Sequence, residues 1–329
     1  MQSTVPSKDT LIYVAGHRGL VGSAVVRALH AHGYHNLVLR THAELELLDQ
    51  AATRAFFATE RPELVILAAA RVGGIWANFI HPFEFAADNL AMDLNIIEAA
   101  FRNGVRRLLF MGSSCIYPRD ALQPLKEEYL LTGPLEETNR PYAVAKIAGI
   151  ELCRSLNREY GTEYLSLMPT NLYGPGDNFD LSTAHVLPAL IRRLHEAKTG
   201  PADEQGRDRP RHPPVTLWGT GEVYREFLHV DDLGEATVCV MERGSVTDLP
   251  DGMVNVGVGA DLTVRELAVL VQRAVGHEGE IRWDTTMPDG TPRKLLDVSR
   301  IQGFGWRPSI DLEQGIRMTY QWYQEHHER

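Results

Sequence analysis

At 329 residues the chain exceeds an average single domain, so one large α/β domain with a smaller partner is the expected organisation. Its 44% hydrophobic and 23% charged residues suit a globular protein with ample core, and its net charge of −10 argues against a non-specific nucleic-acid or membrane-surface binder. Three scattered cysteines, Cys115, Cys153 and Cys239, are too few for a disulfide framework or a zinc site. A reducing compartment suits them. Residues 1–10 lack the apolar core of a signal peptide and no apolar run reaches membrane-spanning length, so a cytoplasmic protein is expected.

In chain order, short runs rich in Val, Ile and Leu at 11–15, 37–39, 64–69, 107–111 and 164–168 predict buried strands. Amphipathic stretches at 20–31, 50–59, 83–103 and 142–160 predict the helices between them. Strand and helix alternating in this way predict a parallel, doubly wound sheet of Rossmann type. After Tyr173 the texture changes. Gly174-Pro175-Gly176 is a turn cluster, 185–196 reads as a helix with basic residues, and 198–214 is polar, rich in Pro, Gly and charge, and expected as an exposed loop of unassigned role. Strands at 215–218 and 254–256 then mix with helices at 231–241, 263–274 and 312–326, the pattern of a smaller α/β cap. The expected division is a dinucleotide-binding domain over 1–176, with a segment near 222–256 returning to it, and a mostly substrate-binding domain over 177–329.

The loop Gly16-His17-Arg18-Gly19-Leu20-Val21-Gly22 follows the first strand and opens the first helix, its glycines each three residues apart. A dinucleotide needs this setting: a tight turn, close backbone approach to the pyrophosphate, and a helix N-terminus with free N–H groups. At the tip of the second strand an NAD reader usually places Asp or Glu for the ribose 2′-OH. Here stand Arg40-Thr41-His42, with Arg18 in the glycine loop. Two cations without an acid favour a 2′-phosphate and so NADP(H), against the plainer possibility that Arg40 is a solvated surface residue.

Tyr142 and Lys146, four residues apart at the start of a helix, share one face. A phenol with a pKa of about 10 is a poor acid–base catalyst at neutral pH unless its charged form is favoured, which a neighbouring ammonium and a helix N-terminus would do. Lys146 can also reach the nicotinamide ribose. The fourth strand ends in Gly112-Ser113-Ser114-Cys115-Ile116-Tyr117-Pro118, where the Ser113 hydroxyl can serve the same substrate oxygen as Tyr142; Ser114 suits a small turn residue better.

Together the glycine loop, Ser113, Tyr142 and Lys146 resemble the extended short-chain dehydrogenase/reductase family, which acts mainly on nucleotide sugars, and the resemblance runs over essentially the whole chain. The segments 112–118, 141–146, 169–175 (Pro-Thr-Asn-Leu-Tyr-Gly-Pro), 225–232 (Arg-Glu-Phe-Leu-His-Val-Asp-Asp) and 289–294 (Asp-Gly-Thr-Pro-Arg-Lys) are similar to family members of one particular activity. Those are NADPH-dependent homodimers that epimerise a GDP-bound 4-ketosugar at C3 and C5, then reduce the C4 ketone. Epimerisation beside a ketone needs a base to remove the α-proton and an acid to return one on the opposite face; a simple reductase needs neither. The resemblance makes Cys115 the base and His185 the acid, the latter also touching the cofactor. It assigns Arg193, Trp218, Arg225 and Asp289 to the GDP-sugar, and Pro169, Thr170, Asn171 and Leu172 to the nicotinamide end through backbone groups. His42 departs from the pattern, standing where a second arginine is expected. Two alternatives stay open: a 4-epimerase or dehydratase that recycles its cofactor, and a non-catalytic cofactor-binding protein on the same fold. Ser114-Cys115 replaces the Thr and acid expected of a 4,6-dehydratase.

Overall fold

The computed structural model describes residues 5–200, 212–249, 251–287 and 290–327. The strands are β1 (Ile12–Ala15), β2 (Leu37–Val38), β3 (Leu64–Leu67), β4 (Arg107–Met111), β5 (Glu163–Pro169), β6 (Asn171–Tyr173), β7 (Val215–Trp218), β8 (Tyr224–Arg225), β9 (Phe227–His229), β10 (Met253–Val256), β11 (Leu262–Thr263), β12 (Ile281–Asp284) and β13 (Arg293–Lys294). The helices are α1 (Leu20–Ala31), α2 (Gln50–Glu60), α3 (Ile75–Ile80), α4 (Pro82–Arg102), α5 (Arg140–Tyr160), α6 (Val186–Thr199), α7 (Val230–Arg243), α8 (Val264–Val275), α9 (Ser299–Gly303) and α10 (Leu312–His327).

Six strands pair in the order β10-β5-β4-β3-β1-β2, every neighbour parallel. Parallel strands need helical crossovers, which cover both faces and make the strands apolar throughout. Accordingly β1, β3 and β4 are buried over their whole length. Helix α4 packs against α2 and α5, and α1 against α7. The expected doubly wound sheet is present, and every strand and helix predicted before residue 170 is found within about two residues of its expected ends.

The second half behaves differently. Strand β10 joins the main sheet beside β5, with Met253 opposite Ser166, and Leu228, Leu233, Leu296, Val298, Ile301 and Trp306 enter the same core. A separate apolar cluster joins Leu190 and Leu194 of α6, Leu217 of β7, Leu267 and Val271 of α8 and Ile316 and Tyr320 of α10. The two- and three-residue strands β6, β8, β9, β11 and β13 carry too little pattern to be predicted. Residues 201–211 of the charged loop lie outside the described residues.

Candidate active site

The glycine loop is shaped by close approach. Gly16 has φ +83°, and a Cβ there would lie 2.7 Å from the Ala69 nitrogen; one on Gly22 would lie 2.1 Å from the Gly16 carbonyl oxygen. Only backbone fits at these two contacts. At Gly19 a Cβ would meet only the Gly16 oxygen at 3.5 Å, so its outer side is open. Gly19 caps α1 without a side-chain bond, leaving the first-turn N–H groups facing outward for an anion. His17 has a buried Nδ1 without a hydrogen-bond partner, and burial, then the Arg18 charge, hold its pKa below the ordinary histidine value. An open glycine, an uncapped helix start and an orphaned ring nitrogen fit a dinucleotide diphosphate.

The cations expected for a 2′-phosphate are unequal. Arg40 pairs with Glu60 at 2.6 Å, donates to the Leu39 carbonyl at 3.0 Å and lies over the Phe56 ring. His42 is exposed and sits 3.2 Å from Glu46. Arg18 is exposed, and no described residue forms a hydrogen bond or ion pair with it. Arg18 is therefore the cation ready to receive a phosphate, while Glu60 already opposes Arg40.

Strand β4 delivers Ser113 at its tip. The hydroxyl accepts from the Cys115 N–H at 3.2 Å and shares a hydrogen bond with the Tyr142 phenol. Tyr142 and Lys146 leave the first turns of α5 on the expected common face, with Lys146 1% exposed. The electrostatics differ from the sequence-level expectation that Lys146 lowers the tyrosine pKa. Burial first, then the charges of Cys115 and Asp93, push the Tyr142 phenol well up, with only the Ser113 bond opposing them. The Lys146 ammonium is directed instead at Asp93, 3.4 Å from each carboxylate oxygen, and over the Phe110 ring at 4.6 Å.

Cys115 occupies the short 3₁₀ turn after Ser113. Its Sγ receives hydrogen bonds from Lys294 Nζ and Asn139 Nδ2, each 3.3 Å away. Burial alone would raise the thiol pKa. The Lys294 ammonium, the Ser113 hydrogen bond and the Arg225 charge together outweigh burial and bring it below the ordinary value. A thiolate in this position is a base. His185 lies just outside helix α6, which it caps with extended backbone (φ −73°, ψ 169°), rather than within the helix as expected. Desolvation, then repulsion by Lys294, lower its pKa. The ring is neutral at rest and, once protonated, a more willing proton donor.

On the substrate side, β8 and β13 pair in register with Lys294 opposite Arg225, so the cation that touches the thiol and the arginine that biases it are strand neighbours. The adjacent Arg192 and Arg193 separate as the sequence requires. Arg192 turns away to Glu196 (2.7 Å) and the Phe179 carbonyl (3.0 Å), whereas the Arg193 guanidinium lies 6.0 Å from the Trp218 ring. Trp218 is 52% exposed, a large aromatic face open for stacking. Arg193 stands eight residues along α6 from His185, about 12 Å by helical rise, a separation that suits a diphosphate lying between sugar and base. In 169–172, Thr170 Oγ1 and Asn171 Nδ2 both donate to the Glu226 carbonyl, fixing the segment against β9. Asp289 lies outside the described residues.

Sequence reasoning missed three residues here. Asp93 interrupts the buried face of α4 formed by Phe85, Asn89, Ile96 and Ile97, and an acid on such a face is the signal that could have flagged it. Lys294 was visible in its motif without a role. Asn139 precedes Tyr142 by one turn, and its Oδ1 is buried without a partner.

Residues 12–257 match the NAD dependent epimerase/dehydratase family, and the chain belongs to it. Within that family its similarity is to one group. It is 52% identical over 323 residues to GDP-L-fucose synthase of Escherichia coli (strain K12), covering 97% of this chain and 98% of that protein. Against GDP-L-fucose synthase 1 of Arabidopsis thaliana it is 52% identical over 321 residues, covering 98% and 95%. Among solved structures, a GDP-mannoheptose C4 reductase from Campylobacter jejuni with NADP bound superposes with a TM-score of 0.87 at 39% identity, over 97% of this chain and 99% of that one.

Proposed function

We propose that the chain converts GDP-4-keto-6-deoxy-D-mannose to GDP-L-fucose with NADPH, epimerising at C3 and C5 and reducing at C4. The observation that carries this reading is Cys115, its Sγ between Lys294 and Asn139 and two residues from Ser113. A reductase alone has no use for an activated thiol beside its carbonyl site. The E. coli and Arabidopsis relatives that share over half of the sequence bear the name of this activity.

In this reading the glycine loop and Arg18 hold the cofactor diphosphate and 2′-phosphate, Lys146 the nicotinamide ribose, and 169–172 the nicotinamide end. Bound NADPH supplies the hydride. Arg193 and Arg225 bind the substrate diphosphate through planar forks, and Trp218 stacks on the base. Ser113 and Tyr142 hydrogen-bond the C4 oxygen. The Cys115 thiolate removes the α-proton, and the two hydroxyls stabilise the enolate as preorganised donors. His185 returns a proton on the opposite face; C3 and C5 both flank C4, so one base and one acid serve both centres. In the reduction Tyr142 gives its proton to the C4 oxygen.

The two apolar clusters support a cofactor domain that recovers the returning segment and a substrate domain built on α6, α8 and α10. The reading includes a homodimer joined through α4 and α5, where Phe83, Leu90, Leu94 and Val144 are exposed apolar residues. It also places the protein in the cytoplasm, where a working Cys115 thiolate stays reduced. The test is incubation of purified protein with NADPH and the ketosugar, followed by NMR of the product. GDP-L-fucose with stoichiometric NADPH oxidation is expected. Absence of NADPH oxidation would overturn the reading in favour of an enzyme that recycles its cofactor, and a reduced sugar unchanged at C3 and C5 would remove the epimerase.

A further inference from the structure

Asp93 is a carboxylate on the buried face of α4, 1% exposed, and Lys146 is its one hydrogen-bonding partner among the described residues. Such a group is costly unless it is paired, and here the pair consumes a cation that the sequence pattern reserves for the tyrosine. Both carboxylate oxygens reach Nζ at 3.4 Å, and Phe110 closes the ammonium's other side at 4.6 Å. The ammonium is therefore held on the α4 side of α5 by a fixed counter-charge. Desolvation, opposed by Lys146, leaves the Asp93 carboxyl with a pKa raised to about 6, so it is ionised across neutral pH.

We propose that Asp93 is a positioning residue that anchors Lys146 and offsets its charge, so that Tyr142 keeps its proton through the epimerisation and is a proton donor when C4 is reduced. The inference rests on the proposed function, whose two-stage chemistry requires it. During epimerisation negative charge passes from the Cys115 thiolate, which takes up the α-proton, to the C4 oxygen held against the phenol. A tyrosine already ionised at neutral pH would repel both and would have no proton to give afterwards. In the reduction the Tyr142 O–H bond breaks, the new O–H bond forms at the C4 oxygen, and the phenolate regains its proton from water.

The charges around the phenol agree with this assignment. From α4 comes Asp93; from the 3₁₀ turn, Cys115; from α5, Lys146; and beyond the thiol lie Lys294 and Arg225, whose charge is taken up in holding the thiolate. Around Asp93 itself stand Lys146, Tyr142 and Cys153, and Cys153 is held neutral by burial. Burial first, then Cys115 and Asp93, oppose ionisation of Tyr142, and the Lys146 ammonium is directed at Asp93.

The test is the pH profile of single-turnover C4 reduction in Asp93→Asn and Asp93→Glu. Tyr142 acts protonated, so the rate falls as pH rises through its pKa. Loss of the carboxylate should move that falling limb down by about one unit, an approximately tenfold slower reduction on the alkaline side. Below pH 6, where Asp93 is itself protonated, the Asn variant and the wild type should converge. Glu should restore the limb. A limb that stays in place in the Asn variant, whatever the overall rate, overturns the proposal, since a merely structural role lowers the rate at every pH. A substrate-free measurement keeps the question open to refutation if Asp93→Asn does not fold. In NADPH-saturated protein, difference absorbance between wild type and Tyr142→Phe should show no tyrosinate from Tyr142 up to about pH 10, the ordinary phenol value. A signal near pH 8 would overturn the proposal without bearing on which sugar is the substrate.

Discussion

The cofactor side and the substrate side of the site are built in opposite ways. On the cofactor side Gly16–Gly22, Ser113, Tyr142 and Lys146 follow the tips of fully buried four- and five-residue strands or lie in the first turns of a 21-residue helix, each element held by ladder and packing contacts of its own. On the substrate side Arg225 and Lys294 sit on two-residue strands, β8 and β13, that pair with each other, with β11 on the far side of β8. Chemistry carried by a long regular element survives as a readable local motif. Chemistry carried by a pair of short strands is distributed over the chain and depends on both partners being in register.

The sharpest way to break this comparison is Tyr142→Phe. If the cofactor side stands by itself, C4 reduction should fall by about 10²–10⁴-fold, the usual worth of a positioned acid, while NADPH affinity measured by fluorescence titration stays within a few-fold. A comparable loss of NADPH affinity would show that the phenol helps to build the cofactor site.

Lys294→Met probes the substrate side. Its ammonium is the largest influence lowering the Cys115 pKa, which burial otherwise raises. Removing it should move the thiol pKa upward, so that the thiolate is populated only at higher pH. At pH 7 we expect about 10-fold slower alkylation of Cys115 by iodoacetamide and a similar loss of deuterium exchange at C3 and C5, both recovering as pH rises. Lys294→Arg should recover part of the loss. Alkylation with the wild-type pH profile would mean that Asn139 and Ser113 suffice for activation.

The smallest expected effect on chemistry concerns assembly. Phe83 is 75% and Leu94 44% exposed on α4, on the cofactor side. Leu94→Glu combined with Phe83→Glu should convert a dimer to a monomer in light scattering while changing NADPH affinity little. Wild-type protein that is already monomeric would reject α4 and α5 as the subunit contact.

Much of the site was legible because its chemistry is local. The glycine spacing, the Ser113 strand tip and the Tyr142–Lys146 interval survive as written; adjacency required one of Arg192 and Arg193 to point away, and only the fold decides that Arg193 is the one near Trp218. What was misread was electrostatic. Helical spacing places Lys146 on the face of Tyr142, yet it cannot report which counter-charge arrives from α4. Asp93 is 53 residues away from Lys146 along the chain, and burial first, then the charges of Cys115 and Asp93, push the phenol opposite to the expected shift. His185, expected as the first residue of the helix, is instead its N-cap, a boundary one residue away from the one periodicity suggested.

The sequence by itself determined the alternation of strand and helix, the dinucleotide loop and the residue types that the reaction needs. These follow from rules of short range: side-chain periodicity, the steric freedom of glycine and the one-turn spacing of a helix face. The tertiary structure alone decided the protonation of Cys115, Tyr142 and His185. Each depends on burial and on charges brought from other elements, Lys294 to Cys115 and His185, Asp93 to Lys146 and Tyr142. Coulomb interactions act through space with no regard for sequence separation, and their strength is set by a dielectric that exists only once the chain has folded.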